Sequence, residues 1–68
     1  MVDTNKLKGA IKSKGFTQRE FAEKLGITEQ TLSKKLKVGR FDSNEIFAMI
    51  KLLDLHDPMS IFFVDEVA

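Results

Sequence analysis

The side chains best equipped for chemistry in this 68-residue chain sit in one polar stretch between two helix-breaking glycines: Glu29, Gln30, Thr31, Ser33, Lys34, Lys35 and Lys37. Carboxylate, amide, hydroxyl and ammonium groups of this kind recognise polar edges and anions by contact. Bond-making chemistry has no comparable support, because no nucleophile, base and orienting group fall into a recognisable arrangement. His56 is the only histidine, has no neighbouring ligand set and reads as a helix-end residue. There is no cysteine, hence no disulfide framework and no thiolate zinc site. Gly-rich phosphate loops are absent as well. The expectation is a protein that is not an enzyme and carries no metal or cofactor.

A recognition surface needs a scaffold, and 68 residues allow one small domain, residues 1–68, with 43% hydrophobic residues for its core. Such a domain buries only about 60% of its unfolded surface, too little to enclose a deep catalytic cavity. The net charge of +1 conceals an asymmetry. Residues 1–40 hold ten basic and four acidic groups, a net of +6, whereas residues 41–68 hold one basic and six acidic groups, a net of −5. A cationic half of this kind fits an anionic partner such as nucleic-acid phosphate, although solvated helix charges produce similar clusters. The longest apolar run, Ile61 to Val64, is far short of a membrane span, and the first six residues lack the apolar stretch of a signal peptide. These features predict a soluble, cytoplasmic protein with no membrane partner.

Five helical segments follow from the capping grammar. The first runs from about Thr4 to Lys14, with Leu7, Ala10 and Ile11 at helical spacing, Asp3 or Thr4 as cap and Gly15 as a left-handed stop. Gly9 lies inside it, at a cost of about 1 kcal/mol relative to alanine. The second, about 17–25, opens with Thr17 and Glu20 as a capping box and Phe16 with Phe21 as a hydrophobic staple. The third, about 28–37, repeats the pattern with Thr28 as cap and Ile27 with Leu32 as staple. In the fourth, Asp42 pairs with Glu45 and Phe41 with Ile46; Ile46, Phe47, Met49, Ile50 and Leu53 suit one broad buried face. Asp57 followed by Pro58 marks a fifth start, an N-cap and a first-turn proline. Only Gly26 and Ile27 separate the second and third helices, which forces a sharp bend, and Ala22 is small enough to let them approach closely.

This bent pair resembles the phage repressor and Cro-type (XRE-like) helix-turn-helix family. The matching stretch is residues 16–37, with Gln18 opening the second helix, the Ala22/Gly26/Leu32 spacing and the start at Thr28; the wider likeness covers residues 4 to about 56. The family usually places an aliphatic residue three positions after Leu32, where this chain has Lys35 and then Leu36. The resemblance implies an all-α, compact five-helix lambda-repressor-like domain whose third helix enters the major groove of double-stranded operator DNA. Base contacts would then fall to Glu29, Gln30, Ser33 and Lys34. Gln30 is the leading reader, since its amide matches adenine N6 and N7 together, and Lys34 suits guanine or a phosphate. Glu29 has two readings, an acceptor for cytosine N4 or an acid suiting the helix dipole, the second being the commoner arrangement. Phosphate contacts would fall to Thr17, Gln18, Lys35, Lys37, Arg40, Ser43 and Asn44, with Gln18 in the place of the family's backbone-clamping glutamine.

Two features leave the partner open. A regulator of a phage or prophage switch is the leading reading, but Glu29 and the low net charge also suit an antirepressor that docks on a partner repressor's DNA-binding domain. A third reading, a domain excised from a larger repressor, is weakened by the start at Met1. The segment 57–68 either forms a short fifth helix closing the core or stays an extended, β-prone tail through which a homodimer forms.

Overall fold

Each long helix begins where a side chain replaces a backbone partner that the first turn lacks. The computed structural model describes residues 2–63, which form α1 (Thr4–Ser13), α2 (Gln18–Leu25), α3 (Glu29–Val38), α4 (Ser43–Leu53) and α5 (Met59–Phe62). Among the described residues there is no strand. Asp3, rather than Thr4, caps α1, its Oδ1 accepting the Lys6 N–H at 3.1 Å. Thr17 and Asp42 form complete capping boxes: each side chain accepts the N–H three residues on, and Glu20 and Glu45 each accept the cap residue's own N–H at 2.9 Å. Thr28 accepts the Thr31 N–H at 3.1 Å. Four such caps, at about 1 kcal/mol each, matter in a domain this small.

The bend between α2 and α3 is present. Gly26 takes the left-handed conformation at φ 77°, a region in which a side chain is penalised. Ile27 then donates its N–H back to the Ala22 carbonyl at 3.0 Å, which closes the end of α2 and turns the chain into α3. Ala22 is buried, 1% exposed. Phe16 and Phe21 staple the start of α2 with ring centroids 5.6 Å apart.

The core is assembled from all five helices: Leu7 and Ile11 of α1, Phe21 of α2, Leu32 and Leu36 of α3, Met49 and Leu53 of α4, and Ile61 and Phe62 of α5. Val2 joins it from before α1, and the neighbouring Asp3 N–H donates to the Ile61 carbonyl, tying the start of the described chain to α5. The Cα radius of gyration, 11.0 Å, is that of a well-packed chain of this length.

Three expectations need correction. Phe47 is not on the buried face of α4 but 67% exposed. Ile46, Met49, Ile50 and Leu53 complete the apolar stripe, and Phe47 falls about 100° around the helix from Ile46. Asp57 does not cap α5: Pro58 takes the cap position with no side-chain hydrogen bond, and the Asp57 carbonyl instead accepts from the Ser60 hydroxyl at 2.9 Å. Finally, α3 runs one residue further than predicted, to Val38, before Gly39 stops it. Of the open segment 57–68, residues 59–62 are helical; the part of the predicted tail from Val64 onward lies outside the described residues.

Candidate nucleic-acid interface

The exposed surface of α3 is set by what its two leucines do. Leu32 and Leu36, one turn apart, face the core, so the opposite side of the helix faces water. Gln30, Lys34 and Lys37 are exposed there, Ser33 is exposed at its edge, and Glu29, in register with the two leucines, is exposed at the helix start; none of the five makes a side-chain hydrogen bond or ion pair among the described residues. Thr31 differs, since it is half-buried and its hydroxyl accepts from the Thr28 hydroxyl at 2.8 Å. The groups assigned to base reading are thus all exposed along the first half of α3, with Gln30 and Lys34 on its outward side. Amide, carboxylate, hydroxyl and ammonium there are free to bond outward.

Lys35 belongs to a different environment. Its Nζ lies 3.1 Å from Glu45 Oε1, with side-chain exposures of 29% and 13% respectively. The same oxygen accepts the Asp42 N–H, so one carboxylate both completes the α4 cap and anchors α3. The lysine that replaces the expected aliphatic residue is therefore an internal tie with its charge already met, and it is poorly placed as a phosphate contact. No local pattern announces this pair, because the partners are ten residues apart and meet only in the folded chain.

The remaining predicted phosphate contacts lie at helix starts. Thr17 is exposed, although its Oγ1 already accepts the Glu20 N–H at 3.0 Å. Gln18, the first residue of α2, is half-buried. Arg40, Ser43 and Asn44 are exposed around the start of α4, beside an Asp42 whose Oδ1 accepts the Glu45 N–H at 2.8 Å. Hydrogen bonds from the backbone and side chain of Thr17, aided by Lys24, hold the Glu20 carboxyl below its ordinary range. It is a firmly anionic neighbour for any phosphate approaching α2. Arg19 and Glu23 form only a loose exposed pair at 3.9 Å.

One concavity adjoins this region, an open cleft of about 370 Å³ lined by Lys8, Ile11, Lys12, Phe16, Thr17 and Gln18. Sequence reasoning passed over its two lysines, although their i, i+4 spacing places both on one side of α1. Among the described residues there is no cluster of potential metal ligands, and no helix is long and apolar enough to cross a membrane. In α5 Ile61 and Phe62 are taken up by the core and Phe63 packs half-buried against it, which leaves 51%-exposed Met59 as the outward apolar group of this segment among the described residues.

Residues 1–66 match the family model described as "Protein of unknown function (DUF739)". Neither a curated protein nor a solved structure matches the chain.

Proposed function

We propose that this chain, which belongs to the DUF739 family, is a sequence-specific DNA-binding transcriptional regulator of phage or prophage type, acting in the cytoplasm as a Cro- or repressor-like protein. The observation that carries this reading is the α2–Gly26–α3 bend, which leaves Glu29, Gln30, Ser33 and Lys34 exposed together while Leu32 and Leu36 hold the helix down. A helix fixed by one face and polar on the other suits insertion into a major groove about 12 Å wide. Gln30 then reads adenine, with Ser33 and Lys34 one turn further on. Gln18 on one side and Arg40, Ser43 and Asn44 on the other hold the phosphates, and Lys37 adds attraction without sequence preference. Promoter occlusion follows from occupancy alone. Pairing of two copies to span two half-sites would draw on the C-terminal segment, where Met59 is the exposed apolar group among the described residues.

The test is a mobility-shift titration against duplexes selected from a random pool, repeated at several salt concentrations. Selection of a defined sequence supports the reading, whereas uniform weak binding that vanishes at moderate salt refutes it. One observation favours a second reading, an antirepressor that pairs with a repressor's DNA-binding domain. Phe47 is 67% exposed on α4 and Val38 66% exposed at the end of α3, apolar groups that a protein partner would cover and a phosphate backbone would not. Co-purification with a repressor encoded beside this chain, lost in Phe47→Ser, would support it.

A further inference from the structure

We infer that the cleft between α1 and α2 is a sugar–phosphate site, in which Lys8 and Lys12 extend the DNA footprint beyond the groove read by α3. The inference rests on the DNA-binding reading and adds a surface to it. The cleft is continuous with that surface, because Gln18, the residue at the start of α2 proposed to meet the backbone, lines it together with the cap residue Thr17.

Its lining has two chemistries. Ile11 and Phe16 form an apolar floor, and Lys8 and Lys12, both exposed, supply two ammonium groups one helical turn apart on α1. No carboxylate lines it, and neither lysine is ion-paired among the described residues. A nucleic-acid backbone is mixed in the same sense, with apolar C–H faces on each deoxyribose and a negative charge on each phosphate. The lysines also meet a local electrostatic need. The α2 start carries the anionic Glu20, so its own dipole is already answered, and a phosphate brought to Gln18 needs cations from elsewhere. Lys8 and Lys12 are the cations in contact with that cleft.

The experiment measures duplex affinity by fluorescence anisotropy over a range of salt concentrations, using a duplex selected by the wild-type chain. Lys8→Ala and Lys12→Ala are compared singly and together, with Lys6→Ala, exposed on α1 but outside the cleft, as control. Each phosphate contact contributes about 0.9 to the slope of log affinity against log salt, so each cleft variant should flatten it by about one and the double variant by about two. The loss should be the same for matched and mismatched duplexes, and Lys6→Ala should leave the slope unchanged. Unchanged slopes in the cleft variants overturn the assignment while leaving the DNA-binding reading intact. So does a cleft whose Lys8 and Lys12 amide signals respond to an acidic peptide and not to duplex. Failure of the wild-type chain to bind any duplex overturns both.

Discussion

Removing the tie between Lys35 and Glu45 should destabilise the domain measurably more than removing an ordinary surface pair. The two groups meet at 3.1 Å with side-chain exposures of 29% and 13%, between the regimes of exposed and buried pairs. Exposed pairs contribute about 0.2–1 kcal/mol, and breaking a fully buried one costs about 3–5 kcal/mol. For Lys35→Ala the expected loss is about 1–2 kcal/mol, which includes packing of the lysine stem. Glu45→Gln keeps an oxygen for the Asp42 N–H at the α4 cap and removes only the charge. A double-mutant cycle on these two changes should therefore isolate a coupling of about 1 kcal/mol. Arg19 and Glu23, at 3.9 Å and 78% and 71% exposed, form an internal comparison whose coupling should be about 0.3 kcal/mol or less. Urea midpoints give the couplings, and thermal midpoints should fall by about 4–8 °C per kcal/mol in a domain of this size. Added salt should erase the Arg19–Glu23 coupling first. Equal couplings for the two pairs would refute the reasoning, because burial would then contribute nothing.

Other consequences can be measured with the same protein. Gln30→Ala should relax preference at a single base position, while Lys37→Ala should weaken all duplexes alike; a binding-site selection on each variant separates the two effects. The Glu20 carboxyl is held below its ordinary value of 4.5 by the Thr17 hydrogen bonds, so its contribution to stability is complete above that value. That contribution is lost as pH falls through the lower folded-state value, and the acid limb of a stability–pH profile should shrink in Glu20→Gln. Gly26→Ala should lower stability by about 1 kcal/mol or more, because φ 77° strains any side chain even though nothing lies within 4 Å of the new methyl. Gly9→Ala, in an unobstructed helix interior, should instead raise stability by up to about 1 kcal/mol. Paired thermal melts decide the sign of each.

What could be read from the chain depended on the range of the interaction. Caps and staples act within four or five residues, so Thr17 with Glu20, Asp42 with Glu45, and Phe16 with Phe21 were visible in order and spacing alone. The bend at Gly26 was likewise local. Phe47 was misjudged because a run of apolar residues marks a stripe without fixing its centre; that centre depends on where the neighbouring helices sit. Asp57 was misjudged because a cap needs its side chain turned back over the first turn, and Pro58 starts the turn in its place. Lys35 looked like one more cation on a basic helix until α4 supplied Glu45, and the cleft beside Lys8 and Lys12 exists only between two packed helices.

The same grammar constrains how this surface can hold an anion. A bare helix start attracts phosphate through its free amides and dipole. Here the starts of α2 and α4 are occupied by Glu20, Asp42 and Glu45, which accept N–H bonds and bring negative charge with them. Firm capping and dipole-driven phosphate binding compete at a helix start, and here the caps take the Glu20 and Glu45 amides and add negative charge, leaving the first two amides of each helix. On the DNA-binding reading, attraction for the nucleic-acid backbone then falls chiefly to cations set outside the caps. Lys8 and Lys12 flank α2, Arg40 precedes α4, and Lys37 lies near the end of α3. It follows that neutralising these four should remove most of the salt dependence of binding. Weakening a cap, as in Thr17→Ala, should instead lower stability by about 1 kcal/mol and leave the salt slope of the folded protein in place.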